Sequence, residues 1–441
     1  MGRVAMVSLG RDRYVWVLGG TGVDMAEPQY EDPMTPADRA ASRRDERSSV
    51  WWRRTRYPAF ALSRFISQAG DMAAITALTV HVYAITDSGF AVGALFVARV
   101  LPRILGLLAG AVGDRTELRR LMIACDLVCG IVFLGIAVVD PGYLALLVLV
   151  FVAECAATVA LPASRTMIGR VVPDEHRTAA NGLLLAAVAV GFAGGSALGG
   201  LAAAAWDYRW ALVANAGSFV ISALLLTRLP TATPVPRTTP SAGFLADAVA
   251  GLSVLRADRW VTTVTIGMVG IAFAASIDRP AMIVLVEEDL RSSGLGYGLA
   301  LGGIALGALV VSLAALRSKM LNGRSMAVFS LGVVVQAAGH LAMGVSPVVA
   351  VLVAAAVVAG IGNGMESVCG NSLLQRSTPQ ESLGVVMGVV LSGSFLANAL
   401  GSVVGGAAVG LLGAQWTFVV AAAVMMACAV PVLRRSRREP G

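Results

Sequence analysis

The chain has 441 residues, 57% of them hydrophobic and 14% charged, with a mean hydropathy of +0.76. Soluble domains run nearer about 45–50% apolar and about 25% charged, which excludes an ordinary soluble protein. The net charge of +7 comes from arginines dispersed at the ends of apolar runs, with Lys319 the single lysine and no basic stripe, so a nucleic-acid partner is excluded too.

Residues 1–56 hold ten arginines and eight acidic side chains and are expected to form a largely disordered cytoplasmic tail. The tail closes on Trp51-Trp52-Arg53-Arg54-Thr55-Arg56, a pattern suited to a membrane–water interface. Its short apolar run from Tyr14 to Gly20 follows Arg11 and Arg13 without a cleavage region, so it does not read as a signal peptide. Twelve apolar stretches follow, at about 60–85, 90–110, 121–139, 143–163, 179–204, 210–228, 260–286, 295–316, 325–345, 347–371, 384–411 and 415–433. A span needs about 20 such residues, so each reads as a transmembrane helix and the fold class is an all-α polytopic membrane protein. The expected divisions are a bundle over 57–229, a cytoplasmic loop over 230–258, a second bundle over 259–433 and a basic tail over 434–441.

Arginine placement sets the expected orientation. The even-numbered connections and the C-terminal tail hold eighteen basic side chains; the odd-numbered ones hold two, Arg209 and Arg291. Positive residues stay inside, so both termini are expected in the cytoplasm of a multi-pass plasma-membrane protein. An internal repeat sets the architecture. Gly195-Ser196-x-x-Gly199-Gly200 recurs 206 residues later as Gly401-Ser402-x-x-Gly405-Gly406, and Pro173, Gly182 and Trp210 map to Pro379, Gly388 and Trp416. Two homologous six-helix halves imply a pseudo-twofold transporter with its site between them near the midplane.

The five cysteines all lie in apolar runs and Cys125 and Cys129 have no third ligand nearby, so no metal or cofactor is expected. His81 and His340 fall near helix ends and read as satisfied or solvated. No nucleophile–base constellation and no phosphate-binding glycine–lysine loop occur, which argues against an enzyme and against an ATP-driven pump. Ionisable groups inside the spans are functional candidates, because a carboxylate at the bilayer centre costs roughly 2.5–3.5 kcal/mol. Asp71 sits about 18 Å along the first helix, Glu154 halfway along the fourth, Asp278 in the outer part of the seventh and Glu366 towards the cytoplasmic end of the tenth. All four are proton-coupling candidates, with a pair to arginine as the structural alternative, for Asp71 through Arg64 or an arginine of another helix. Arg99 and Arg103 read as snorkelling towards the cytoplasmic face. So few arginines in the spans favour neutral or cationic cargo.

The connection after the second helix, Gly110-Ala-Val-Gly113-Asp114-Arg115-Thr-Glu-Leu-Arg119-Arg120, resembles the loop signature of the major facilitator superfamily. The resemblance implies a cytoplasmic latch of Gly110, Asp114, Arg115, Arg119 and Arg120, which Asp126 is placed to join. Glu117 and Leu118 depart from the pattern, and the second-half equivalent lacks the aspartate. In the fifth helix Gly182, Gly191, Gly195, Ser196, Gly199 and Gly200 resemble the antiporter motif of that superfamily's drug exporters, with Ser196 where proline is usual. The glycine packing survives that change, whereas the proline kink does not.

Further matches run through Ser63-Arg64, Gly70-Asp71, Leu101-Pro102-Arg103, Pro162-Ala163-x-Arg165, Ala180-Asn181-Gly182, Gly362-Asn363-Gly364 and Gln375-Arg376-Ser377-Thr378-Pro379. Over about residues 58–433 they resemble the branch that contains enterobactin exporters and macrolide efflux proteins. That resemblance implies twelve helices in two pseudo-symmetric six-helix bundles and proton-coupled efflux of amphipathic, macrolide-like molecules by a monomer, its partners the cargo, protons and the lipid bilayer. A siderophore or lipid-like metabolite is the alternative cargo, and a non-transporting sensor or assembly partner the alternative class.

Overall fold

The structure, a computed structural model, describes residues 4–8, 14–18, 55–105, 116–231, 258–317, 325–378 and 380–436. The tryptophan–arginine anchor at 51–54, the latch residues Gly110, Asp114 and Arg115, most of the middle loop and the last five residues of the basic tail lie outside the described residues. Within the tail read as disordered, Val4–Ser8 (β1) and Tyr14–Leu18 (β2) pair antiparallel, with Val4 opposite Leu18 and Ser8 opposite Tyr14. Both segments carry two valines, and the second adds Tyr14 and Trp16, a strand pattern that the polarity of the tail as a whole conceals.

The first half comprises α1 (Tyr57–Thr86), α2 (Gly89–Leu105), α3 (Leu118–Val139), α4 (Tyr143–Val171), α5 (Arg177–Ala205) and α6 (Tyr208–Leu226). The second comprises α7 (Arg259–Ile277), α8 (Gly294–Arg317), α9 (Ser325–Gly344), α10 (Val349–Ser377), α11 (Gln380–Leu412) and α12 (Ala414–Ser436). Among the described residues eleven helices are long and apolar enough to cross a membrane, and α2, described over 17 residues, takes the remaining place in the order. The ends follow local chemistry. Asp258 accepts from the Trp260 and Val261 amides at 2.7 and 3.2 Å and so caps α7. Asp87 and Asp140 close α1 and α3 in the left-handed region, at φ 47° and 50°.

One element departs from the sequence reading. A single helix over 260–286 is expected, but the chain breaks at Asp278, resumes as Arg279–Val284 and ends in a π turn at Leu285–Asp289. Pro280 has no amide hydrogen to give, and the first turn of a new helix is where that costs nothing.

Small residues bring the helices together. A Cβ on Gly195 or Gly199 of α5 would lie 2.1 or 2.2 Å from the Ala69 or Ala73 carbonyl of α1. The second half repeats this, with Gly401 and Gly405 of α11 at 2.4 and 1.8 Å from the Phe273 and Ile277 carbonyls of α7. Close backbone contact is what holds helices together where lipid supplies no hydrophobic drive.

The halves touch at one end. There α2 meets α11, with a Gly93 Cβ position 2.5 Å from the Ser402 carbonyl, and α5 meets α8, with that of Gly298 2.3 Å from the Ser196 carbonyl. Both contacts fall at the arginine-poor end, which carries the odd-numbered connections. One apolar core spans the two halves here, joining Leu78, Val92 and Ile136 to Leu285, Tyr297 and Phe418. At the arginine-rich end each half has a core of its own, around Phe60, Met122 and Met167 in the first and Met268, Phe329 and Met425 in the second. Among the described residues, the bundles thus share an apolar core at one end and not at the other.

Candidate transport site

Two cavities in the interior, among the described residues, carry charged side chains. The inner one, about 670 Å³, lies in the first half and is lined by Asp71, Arg103, Asp126 and Glu154 and, towards the arginine-rich end, by Arg165 and Asn181. The central one, about 200 Å³, lies between the halves and is lined by Thr76, Phe96 and Arg99 from one side and Asp278, Arg279, Tyr297, Gln336, His340 and Asn363 from the other. The buried Gln336 side-chain oxygen has no hydrogen-bond partner among the described residues.

Arg99 divides the two cavities. It donates from Nη2 to Asp71 and from Nε to Glu154, both at 2.7 Å, and Arg103 reaches the other Glu154 oxygen at 3.0 Å. Two carboxylates and two guanidiniums therefore balance in one cluster, buried at Glu154 (6% exposed) and open to the inner cavity at Arg103 (37% exposed). This corrects the snorkelling expected of Arg99 and Arg103. The fourfold spacing that puts both on one face of α2 turns that face towards α1 and α4. The clue in the sequence is the coexistence of unpaired acids and bases at similar depth; the partner choice needs the three-helix geometry.

Asp126 also differs from expectation. It accepts from Arg64 of α1 at 2.7 Å and from the Ser222 hydroxyl of α6 at 2.6 Å, and makes no contact with Arg119 or Arg120. Those two arginines pair instead with Glu117, at 3.6 and 3.0 Å, and Arg119 donates to the Leu229 carbonyl at 2.9 Å. Of the two partners foreseen for Asp71, Arg64 faces Asp126 instead, and the arginine of another helix is the one found, Arg99 of α2.

The second half is arranged otherwise. Asp278, buried at the break after α7, pairs with the Nδ1 of His340 on α9. Arg279, its neighbour in sequence, contacts no acidic side chain among the described residues within ion-pair distance, and it lines the central cavity. Glu366 is buried on α10 and has no cationic partner among the described residues; its backbone amide lies where a Gly332 side chain would be. The structure thus brings Asp71 and Glu154 together, places Asp278 across the central cavity from Arg99, and leaves Glu366 apart.

The antiporter-like stretch is mostly contact surface. Gly191, Gly195 and Gly199 face α1, and Ser196 and Gly200 face α8; Gly182 borders open space. At the end with the shared core the Tyr83 hydroxyl donates to the Glu288 carboxylate, a link between the halves that sequence reasoning did not single out.

Two six-helix halves around a charged central cavity define a membrane transporter rather than an enzyme. The model of the Major Facilitator Superfamily matches residues 60–322 and 264–441, and the chain belongs to that family. It is 28% identical over 417 residues to an enterobactin exporter, EntS, of Salmonella typhimurium, covering 87% of this chain and 95% of that one. Its fold is similar to a POT family transporter solved in complex with 5-aminolevulinic acid (TM-score 0.66, 15% identity, 87% of this chain and 96% of that one). It is also similar to a bacterial homologue of the human lysosomal transporter Spinster, solved inward-facing and unoccupied (TM-score 0.60, 15% identity, 87% and 97%).

Proposed function

We propose that this protein is a proton-coupled exporter of amphipathic small molecules that works by alternating access from the bacterial inner membrane, with both termini cytoplasmic. The observation that carries the reading is the asymmetry of the packing. Among the described residues a single core joins the halves at the arginine-poor end, each half has its own at the arginine-rich end, and a charged cavity lies between. With arginines inside, that is an inward-open arrangement. Glycine-lined contacts between α2 and α11 and between α5 and α8 carry few interlocking side chains, so they can part while the opposite end closes.

The carboxylates divide by the company they keep. Asp71 and Glu154 are neutralised by guanidiniums, which do not release protons in proteins. Asp278 is held by a histidine rather than a guanidinium, and Glu366 meets no cation among the described residues. The second-half groups are accordingly the proton carriers, and the Asp71–Arg99–Glu154 cluster is the charged partition that cargo passes. The enterobactin exporters among the relatives support a siderophore as an alternative cargo to macrolide-like drugs.

The test uses inverted vesicles holding the full chain, with an acidic lumen, and a panel that includes a catecholate siderophore and several macrolides. Uptake of a panel member that a protonophore abolishes supports the reading. Uptake indifferent to the proton gradient, or none for any compound, would sink it.

A further inference from the structure

Among the described residues, one cation on the wall of the central cavity, Arg279, has no carboxylate within ion-pair distance. Its neighbour Asp278 is turned to His340 of α9, and Arg99 opposite is engaged by two acids. An arginine cannot shed its proton to relieve burial, and a desolvated guanidinium without a partner is costly. The rest of the wall is aromatic and soft: Phe96 and Phe192 from the first half, Met282 and Tyr297 from the second. Aromatic and thioether groups favour a flat, polarisable body.

We infer that the central cavity binds an amphipathic organic anion, its carboxylate forked by Arg279 and its aromatic body between Phe96, Phe192 and Tyr297. This rests on the transport reading above and reverses the neutral or cationic cargo that the scarcity of arginines in the spans favours; what decides the matter is placement. A planar carboxylate matches the guanidinium fork through two parallel bonds, which a neutral amide or an ammonium cannot reproduce. An ammonium would in addition be repelled by Arg279.

Three probes with the same body and different heads test the site: 1-naphthoate, 1-naphthamide and 1-naphthylmethylammonium. Each is titrated calorimetrically into the full chain in nanodiscs, with empty nanodiscs subtracted and no proton gradient. The carboxylate should bind at least about tenfold more tightly than the amide, the equivalent of about 1.4 kcal/mol, and the ammonium most weakly. Arg279→Gln should erase the preference, Arg279→Lys should keep part of it, and Phe192→Ala should weaken all three probes alike. Equal or tighter binding of the amide or ammonium, no saturable binding of any probe, or a preference that survives Arg279→Gln overturns the inference. Should Arg279→Gln fail to fold, the ranking on the unaltered chain still decides. Because the titration needs no gradient, a head-group preference without gradient-driven uptake removes the export reading alone. Gradient-driven uptake without a preference removes the anion site alone.

Discussion

The two halves share a scaffold and differ in chemistry. In each, a pair of glycines four residues apart lets one helix lie against the carbonyls of another: Gly195 and Gly199 over Ala69 and Ala73, Gly401 and Gly405 over Phe273 and Ile277. The charges do not follow the repeat. The first half matches Asp71, Glu154 and Asp126 to Arg99, Arg103 and Arg64, whereas among the described residues the second offers a carboxylate–histidine pair, a Glu366 with no cation beside it and an Arg279 with no carboxylate within ion-pair distance. Backbone packing tolerates little change once two helices touch through small residues. Side chains in the cavity are free to diverge, so one half holds permanent charge and the other holds charge that a proton or a ligand can cancel.

The largest expected effect comes from breaking the permanent cluster. Arg99→Gln leaves Asp71 without a partner and Glu154 with Arg103 alone. Removing one member of a buried ion pair costs about 3–5 kcal/mol, which thermal unfolding in detergent will read as a large drop in midpoint. Adding Asp71→Asn to that variant should restore part of the loss, since the orphaned charge goes too. A small loss in the single variant, or none regained in the double, would mean the cluster is already hydrated and the first half holds no fixed charge.

The next effect separates the halves by function rather than stability. Glu366→Gln should bring gradient-driven uptake in inverted vesicles to background while leaving binding intact, because the altered side chain can no longer take up and release a proton. Asp71→Asn, in the half whose acids already face guanidiniums, should slow uptake and keep its dependence on the gradient. The reverse pattern, with Asp71→Asn uncoupled and Glu366→Gln active, would move the proton to the first half.

The scaffold was legible in the sequence and the pairing was not, for one physical reason. Spans, repeat and glycine spacing are periodic along the chain, and Gly195 and Gly199 declare their contact face by their own positions. A charge's partner depends on how helices rotate about one another. Arg99 reads Asp71 and Glu154 across 28 and 55 residues, and nothing local distinguishes that choice from snorkelling. The same limit put Asp126 with Arg119 and Arg120 rather than with Arg64. The break at Asp278 had a local sign in Pro280, but proline is tolerated inside membrane helices, so it did not force a boundary.

Equivalent insults to the scaffold should have similar, moderate effects. Gly199→Val and Gly405→Val each drive a branched side chain into a carbonyl across the helix contact, and overpacking of this kind costs typically about 1–3 kcal/mol. Chemical denaturation of the two variants should give losses within that range of one another. A large inequality would show that the repeat has kept the spacing but that only one half depends on it.

The smallest effect belongs to the exposed link at the arginine-poor end. Asp140 lies outside the spans, and the Tyr208 hydroxyl, then the Arg209 guanidinium, hold its carboxyl below the usual carboxylate range. A depressed value means the link contributes above the ordinary aspartate pKa, near about 3.9, and fades as pH falls through the lowered one. Arg209→Gln should therefore change the unfolding midpoint only slightly at neutral pH, since solvent and salt screen the pair, and not at all in acid. Uptake should stay as in the unaltered chain, because this link ties α3 to α6 within the first half and spans neither cavity. Were Arg209→Gln to change transport as strongly as Glu366→Gln, the division between a fixed first half and a titrating second half would fail at its periphery.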